Sequence, residues 1–146
     1  MLNTMRITTL PKVAYRHLPG DRVGEFDRDR NLIILDPRTS KTTQRCTLVH
    51  EMIHWERGDV KTGHGWFDAR IEHHVEMETA RRLICVEDLA DAMEWAEHPQ
   101  EVAEMLDVDL PVLARRVDIL TFEESQYLGK RVGPMRGWAI NRNGEL

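Results

Sequence analysis

Cysteine is scarce in this chain: Cys46 and Cys85 are the only two among 146 residues, too few for a disulfide framework. Both are expected to be buried thiols or spectators in a reducing compartment. No apolar run approaches the roughly 18 residues needed to cross a bilayer, so no membrane segment is expected. The opening Met1-Leu2-Asn3-Thr4-Met5-Arg6 lacks the apolar core of a signal peptide, which points to the cytoplasm. Basic charge is in deficit too, with 20 Lys and Arg against 25 Asp and Glu and a net charge of -5. Binding along a phosphate backbone needs basic patches, so nucleic acid is not the expected partner. Low-complexity tracts and internal repeats are missing as well.

What remains has the composition of a soluble globular protein, 41% hydrophobic and 31% charged, in a chain long enough for one domain to bury a core without covalent staples. An α+β fold is expected, with a small antiparallel sheet near the N-terminus packed on a mainly helical body. Val13-Ala14-Tyr15 suits a short strand, closed by the turn signal Leu18-Pro19-Gly20-Asp21. Val23 to Phe26, the polar turn Asp27-Arg28-Asp29-Arg30 and Leu32-Ile33-Ile34-Leu35 read as a hairpin. The last of these runs directly into Asp36-Pro37-Arg38-Thr39-Ser40, a stop followed by helix-start residues.

The stretch that carries chemistry is His50-Glu51-Met52-Ile53-His54, in a helix expected to begin at Thr42 or Thr43 and to stop at Gly58. Side chains four apart share one helix face, so both imidazoles can reach a single ion. Glu51 then projects beside that ion, free to take a proton from a water without filling a coordination position. Leu48, Val49, Met52 and Ile53 surround these polar groups, whose burial without a partner costs several kcal/mol and which a metal ion would satisfy. This is the layout of a zinc-dependent hydrolase. Cys46 lies on the same face four residues before His50, but zinc sites that use cysteine favour tight pairs, so it is read as a thiol outside the site.

A catalytic zinc takes three protein ligands plus water, and two histidines leave one place to fill. A second long helix is expected from Ile71 to Ile84, after a glycine-bearing loop and an aromatic pair, Trp66-Phe67, that should pack on the core. Glu72, 18 positions after His54, is the best-placed carboxylate, with Glu76, His73 and His74 as competing ligands. If Glu72 is the ligand, Glu76 can accept a hydrogen bond from a ligand histidine and orient its ring. Val86 to Glu97 gives a third helical pattern, and 100–106 with 110–120 a helical pair around Asp107-Val108-Asp109. That pair superficially resembles a DNA-reading helix-turn-helix, with Arg115 and Arg116 on its second helix, but Glu101, Glu104, Asp107 and Asp109 would repel phosphates, which favours a packing role. A last helix is expected from Phe122 to Leu128, then an irregular tail marked by Gly129, Gly133, Pro134, Gly137 and Gly144.

Taken together, Leu32-Ile33-Ile34-Leu35-Asp36, the segment Arg45 to His54, and Glu72 to Ile84 resemble the ImmA/IrrE metallopeptidases, a gluzincin-like family of bacteria, mobile elements and phages. The resemblance covers roughly Leu32 to Leu120. Glu72, Val75, Glu76, Ala80 and Leu83 fill the places of the family's second-helix pattern, while Val75, Glu78 and Cys85 depart from its usual residues there. It implies Glu72 as the third zinc ligand. A metallopeptidase domain over 1–121 is expected, followed by a C-terminal helix and tail over 122–146.

The expected function is that of a cytoplasmic zinc endopeptidase acting on a regulatory protein, such as the repressor of a phage or mobile element. His50, His54 and Glu72 would hold Zn2+, and Glu51 would take the water's proton and deliver it to the leaving amine. A second donor should steady the oxyanion, with His64, His73 and His74 as candidates. An edge strand, here expected to be Leu32 to Leu35, can hold an extended substrate through main-chain bonds. The alternative is a catalytically silent regulator that keeps the zinc fold for protein binding.

Overall fold

The computed structural model describes residues 9–133. Three strands, β1 (Lys12–Tyr15), β2 (Gly24–Asp27) and β3 (Leu32–Leu35), come before six helices among these residues. The helices are α1 (Lys41–Arg57), α2 (Gly65–Leu83), α3 (Val86–Trp95), α4 (Pro99–Leu106), α5 (Leu110–Asp118) and α6 (Phe122–Val132). The α+β class is as expected.

The β2–β3 hairpin is present, pairing Glu25 with Ile34 and turning through Asn31 in the left-handed region. β1, however, joins the other side of β3 in parallel, Lys12 against Leu32 through Tyr15 against Leu35, so the sheet is mixed with the order β1-β3-β2. The reason lies in the connecting loop. Leu18 is buried, its N–H donates to Asp36 Oδ2 at 2.9 Å, and Arg38 reaches back to the Leu18 carbonyl at 3.0 Å. This clamp carries the chain around the end of β3 before it returns as β2. The uniformly apolar β3 is thus the central strand, as a continuous hydrophobic run favours, and the exposed edge expected of it belongs to β2.

Ser40 caps α1, accepting the Thr43 N–H at 3.0 Å, and Gly58 closes it in the left-handed conformation that a residue without Cβ adopts freely. α1 packs on β2 and β3 and also on α2. Its buried residues, Gln44, Cys46, Thr47, Glu51 and Ile53, are mostly polar or weakly polar. A helix that buries its polar residues has broken the usual amphipathic rule, and such breaks concentrate at functional sites.

α2 begins at Gly65, six residues before the expected Ile71. Trp66 and Phe67 do not pack on the core: they are 63% and 55% exposed, meet edge-to-face, and Arg70 lies over the Trp66 ring. The buried stripe of α2 runs through Val75, Thr79 and Ala80, and this phase turns the aromatic pair to solvent.

The helical core is built from Ile84, Leu89, Val102, Leu113 and Leu128, each fully buried and each contributing about 1.5–3 kcal/mol by leaving water. The expected pair around Asp107-Val108-Asp109 is α4 and α5, and Arg116 serves packing: its Nε donates to the Ile84 carbonyl at 2.7 Å and its guanidinium pairs with Glu124. α6, fixed by a Thr121–Glu124 capping box, runs four residues past the expected Leu128. The expected tail beyond it, with Pro134, Gly137 and Gly144, and the N-terminal segment Met1 to Arg6 lie outside the described residues. Among the described residues no helix is long and apolar enough to cross a membrane.

Candidate metal centre

His50 and His54 leave α1 on the side that meets α2, and Glu72 leaves α2 toward them. The two Nε2 atoms are 3.2 Å apart, Glu72 Oε2 is 3.2 Å from His50 Nε2, and Glu72 Oε1 is 3.1 Å from His54 Nε2. These ligand atoms, one from each residue, all lie within 4.8 Å of one another. Donor atoms gathered this closely could hold one metal ion between them. A tetrahedral ion with donor bonds of about 2.0–2.1 Å needs donor separations of about 3.3 Å; the two Nε2 atoms meet this, and the Glu72 carboxylate reaches each ring through a different oxygen.

The ring of His54 is oriented from behind. Its Nδ1 lies 3.1 Å from Asp59 Oδ2, a carboxylate placed to accept a hydrogen bond from that nitrogen and so to orient the ring. Asp59 is in turn held by Arg57 Nε at 2.9 Å. Glu76 does not take this orienting role: its Oε2 accepts from Arg115 at 2.5 Å. His73 and His74 are exposed on α2 and stay outside the converging set, and His64 stands at the start of α2 with its ring against Phe67. Cys46 is buried and its thiol is pushed up by burial, while Cys85 is exposed and caps α3. Neither joins the donors.

Glu51 is buried, and that burial pushes its carboxyl above the ordinary range, against the opposing pull of His50 and His54. A carboxylate with a raised pKa is a better proton acceptor than a solvated one. Glu72 is held well below the carboxylate range by hydrogen bonds from His50 and His54, which keeps it an anionic donor. For His54, burial pulls the imidazole down, and Glu72 with Asp59 outweighs it to give a net rise.

Glu51 and the triad line an open cleft of about 1100 Å³. Thr43, Cys46, His50 and His54 of α1 form its floor, a stripe about 16 Å long at 1.5 Å per residue. β2 forms one wall, and no strand among the described residues pairs with its outer edge. Gly24 lets that wall lie close, since a Cβ there would meet Thr47 Cγ2 at 2.3 Å. The opposite wall comes from α2 and α5 through Ile71, Glu76, Thr79, Val112 and Arg115. None of His64, His73 and His74 lines it.

Two residues of the site escape a reading of the sequence alone. Asp59 stands just past the helix stop, where the only signal was a carboxylate following a C-cap glycine. Arg115 is 39 positions from its partner Glu76, and its arrival depends on α5 packing against α2. No protein-family model matches the chain, and no curated protein or solved structure matches it at significance.

Proposed function

We propose that this chain is a zinc-dependent endopeptidase of the ImmA/IrrE kind, working in the cytoplasm on a regulatory protein such as a repressor. The observation that carries the reading is the convergence of His50, His54 and Glu72 on one point, with Glu51 beside it on the floor of an open cleft. A bound zinc ion would supply Lewis acidity and acidify a water; manganese, cobalt and nickel suit the same donors less selectively. Glu51 takes the proton of the attacking water and hands it to the leaving nitrogen. The free edge of β2 offers main-chain groups to an extended peptide, which fits a protein substrate. The floor continues past the triad toward Thr43 at one end and Asp59 and Val60 at the other, so an internal bond can be bracketed on both sides. Two unpaired thiols, Cys46 and Cys85, suit a reducing compartment.

The test is metal content of the native protein together with cleavage of an internally quenched decapeptide library and of candidate repressors. Wild type should carry one zinc and cleave. Glu51→Gln should keep the zinc and lose about 10²–10⁴-fold in rate. Equal cleavage by both proteins would reject Glu51 as the base, and a zinc-loaded wild type that cleaves nothing would favour the silent regulator.

A further inference from the structure

Resting on the hydrolase reading above, we propose that Arg115, held in place by Glu76, is the second donor to the oxyanion formed at the scissile carbonyl. Addition of water moves the C=O π pair onto oxygen while Glu51 keeps the water's proton; collapse returns the pair, breaks the C–N bond and sends the proton to nitrogen. The negative oxygen needs a fixed donor at 2.7–3.1 Å in addition to the ion, and removing such a donor typically costs about 10²–10³ in rate.

The histidines of α2 and its N-cap are turned away from the cleft, which leaves four cationic side chains on its walls: Arg22, Arg28, Lys61 and Arg115. Arg22 is half exposed and tied to Glu25, and Arg28, which donates to the Gly58 carbonyl, is exposed. Lys61 is an exposed residue of the loop between α1 and α2. Arg115 alone combines shelter with fixation: its side chain is 17% exposed and one N–H donates to Glu76 Oε2 at 2.5 Å. Glu76 follows Glu72 by four residues on α2, so the two carboxylates lie on one face with Cβ atoms about 5–6 Å apart. The guanidinium is thereby tied, on the wall of the same cleft, to the carboxylate one turn along α2 from Glu72. It has five N–H donors in a rigid fork, and Glu76 is its one hydrogen-bond partner among the described residues, so donors remain for a substrate oxygen. Glu76 acts as a positioning residue.

The experiment uses the zinc-loaded full chain, one peptide selected from the quenched library, and a phosphinic pseudopeptide of the same flanking sequence as a tetrahedral mimic. Arg115→Met should keep zinc content and melting temperature, lower kcat by about 10²–10³ with little change in KM, and weaken the phosphinic ligand by the same factor as kcat/KM. Arg115→Lys should recover part of the loss, and Glu76→Gln should cost less than Arg115→Met. Wild-type kcat in Arg115→Met, or equal weakening of the mimic and the uncleaved peptide, would overturn the proposal. Should Arg115→Met fail to fold, Arg115→Lys decides by the same comparison of mimic against peptide. A wild type that neither cleaves nor binds the mimic refutes the hydrolase reading itself, and this proposal with it.

Discussion

Asp59 Oδ2 sits 3.1 Å from His54 Nδ1 and 2.9 Å from Arg57 Nε, a chain of contacts that holds the orientation of the His54 ring. Asp59→Ala should weaken zinc binding by about 10–100-fold, the usual cost of losing a group that orients a ligand histidine. Competition with a chelating dye measures this, and an unchanged dissociation constant would remove Asp59 from the site.

The two glutamates of α2 should separate cleanly. Glu72→Gln loses an anionic donor within about 3.2 Å of both imidazoles and should weaken zinc by more than the Asp59 variant does. Glu76→Gln, whose partner is Arg115, should leave zinc affinity as it is. The same titration, run on both, would expose an exchange of roles if the order were reversed.

Gly24 is a place where one methyl group should matter. A Cβ there would lie 2.3 Å from Thr47 Cγ2 and 3.2 Å from the Ile34 carbonyl, so Gly24→Ala must push β2 off α1, at about 1–3 kcal/mol. Adding Thr47→Ser removes the nearer clash and should restore part of the loss in urea unfolding. Additive effects in that double-mutant cycle would mean the two residues are not in contact.

Asp36 is buried and held well below the carboxylate range, first by the Arg38 guanidinium and then by the Leu18 N–H. The unfolded carboxyl titrates near about 3.9, so below that pH the unfolded state binds the proton that the folded state refuses. Its stabilisation is therefore complete above about pH 4 and fades as pH falls further. The stability gap between wild type and Asp36→Asn should shrink between pH 7 and pH 3, and a gap of constant size would contradict the assignment.

Much of this site could be read from sequence because its signals are local. Gly58 ends α1 where expected, although the helix begins at Lys41 with Ser40 as its cap rather than at Thr42 or Thr43; the spacing of His50 and His54 is set by helix geometry, and the β2–β3 hairpin follows from two strand-like runs and a polar turn. The parallel docking of β1 was not legible, since it depends on Asp36 gripping Leu18 across 18 positions. Trp66 and Phe67 misled for a different reason: large aromatics suggest a core, and only the helical phase set by Val75, Thr79 and Ala80 turns them outward. Arg115 belonged to a pair of helices whose charges argued for packing, and its place beside Glu76 exists only once α5 lies on α2.

The left-handed cap at Gly58 has a dynamic consequence. Gly58 and Asp59 both donate their backbone N–H groups to the carbonyl of His54, at 3.0 and 3.3 Å, so the backbone of a candidate metal ligand is also the anchor of the helix end. Fraying of that last turn and release of a cation are then one event seen from two sides, and amide exchange at residues 55–59 should slow on metal loading by the same free energy that binding gains.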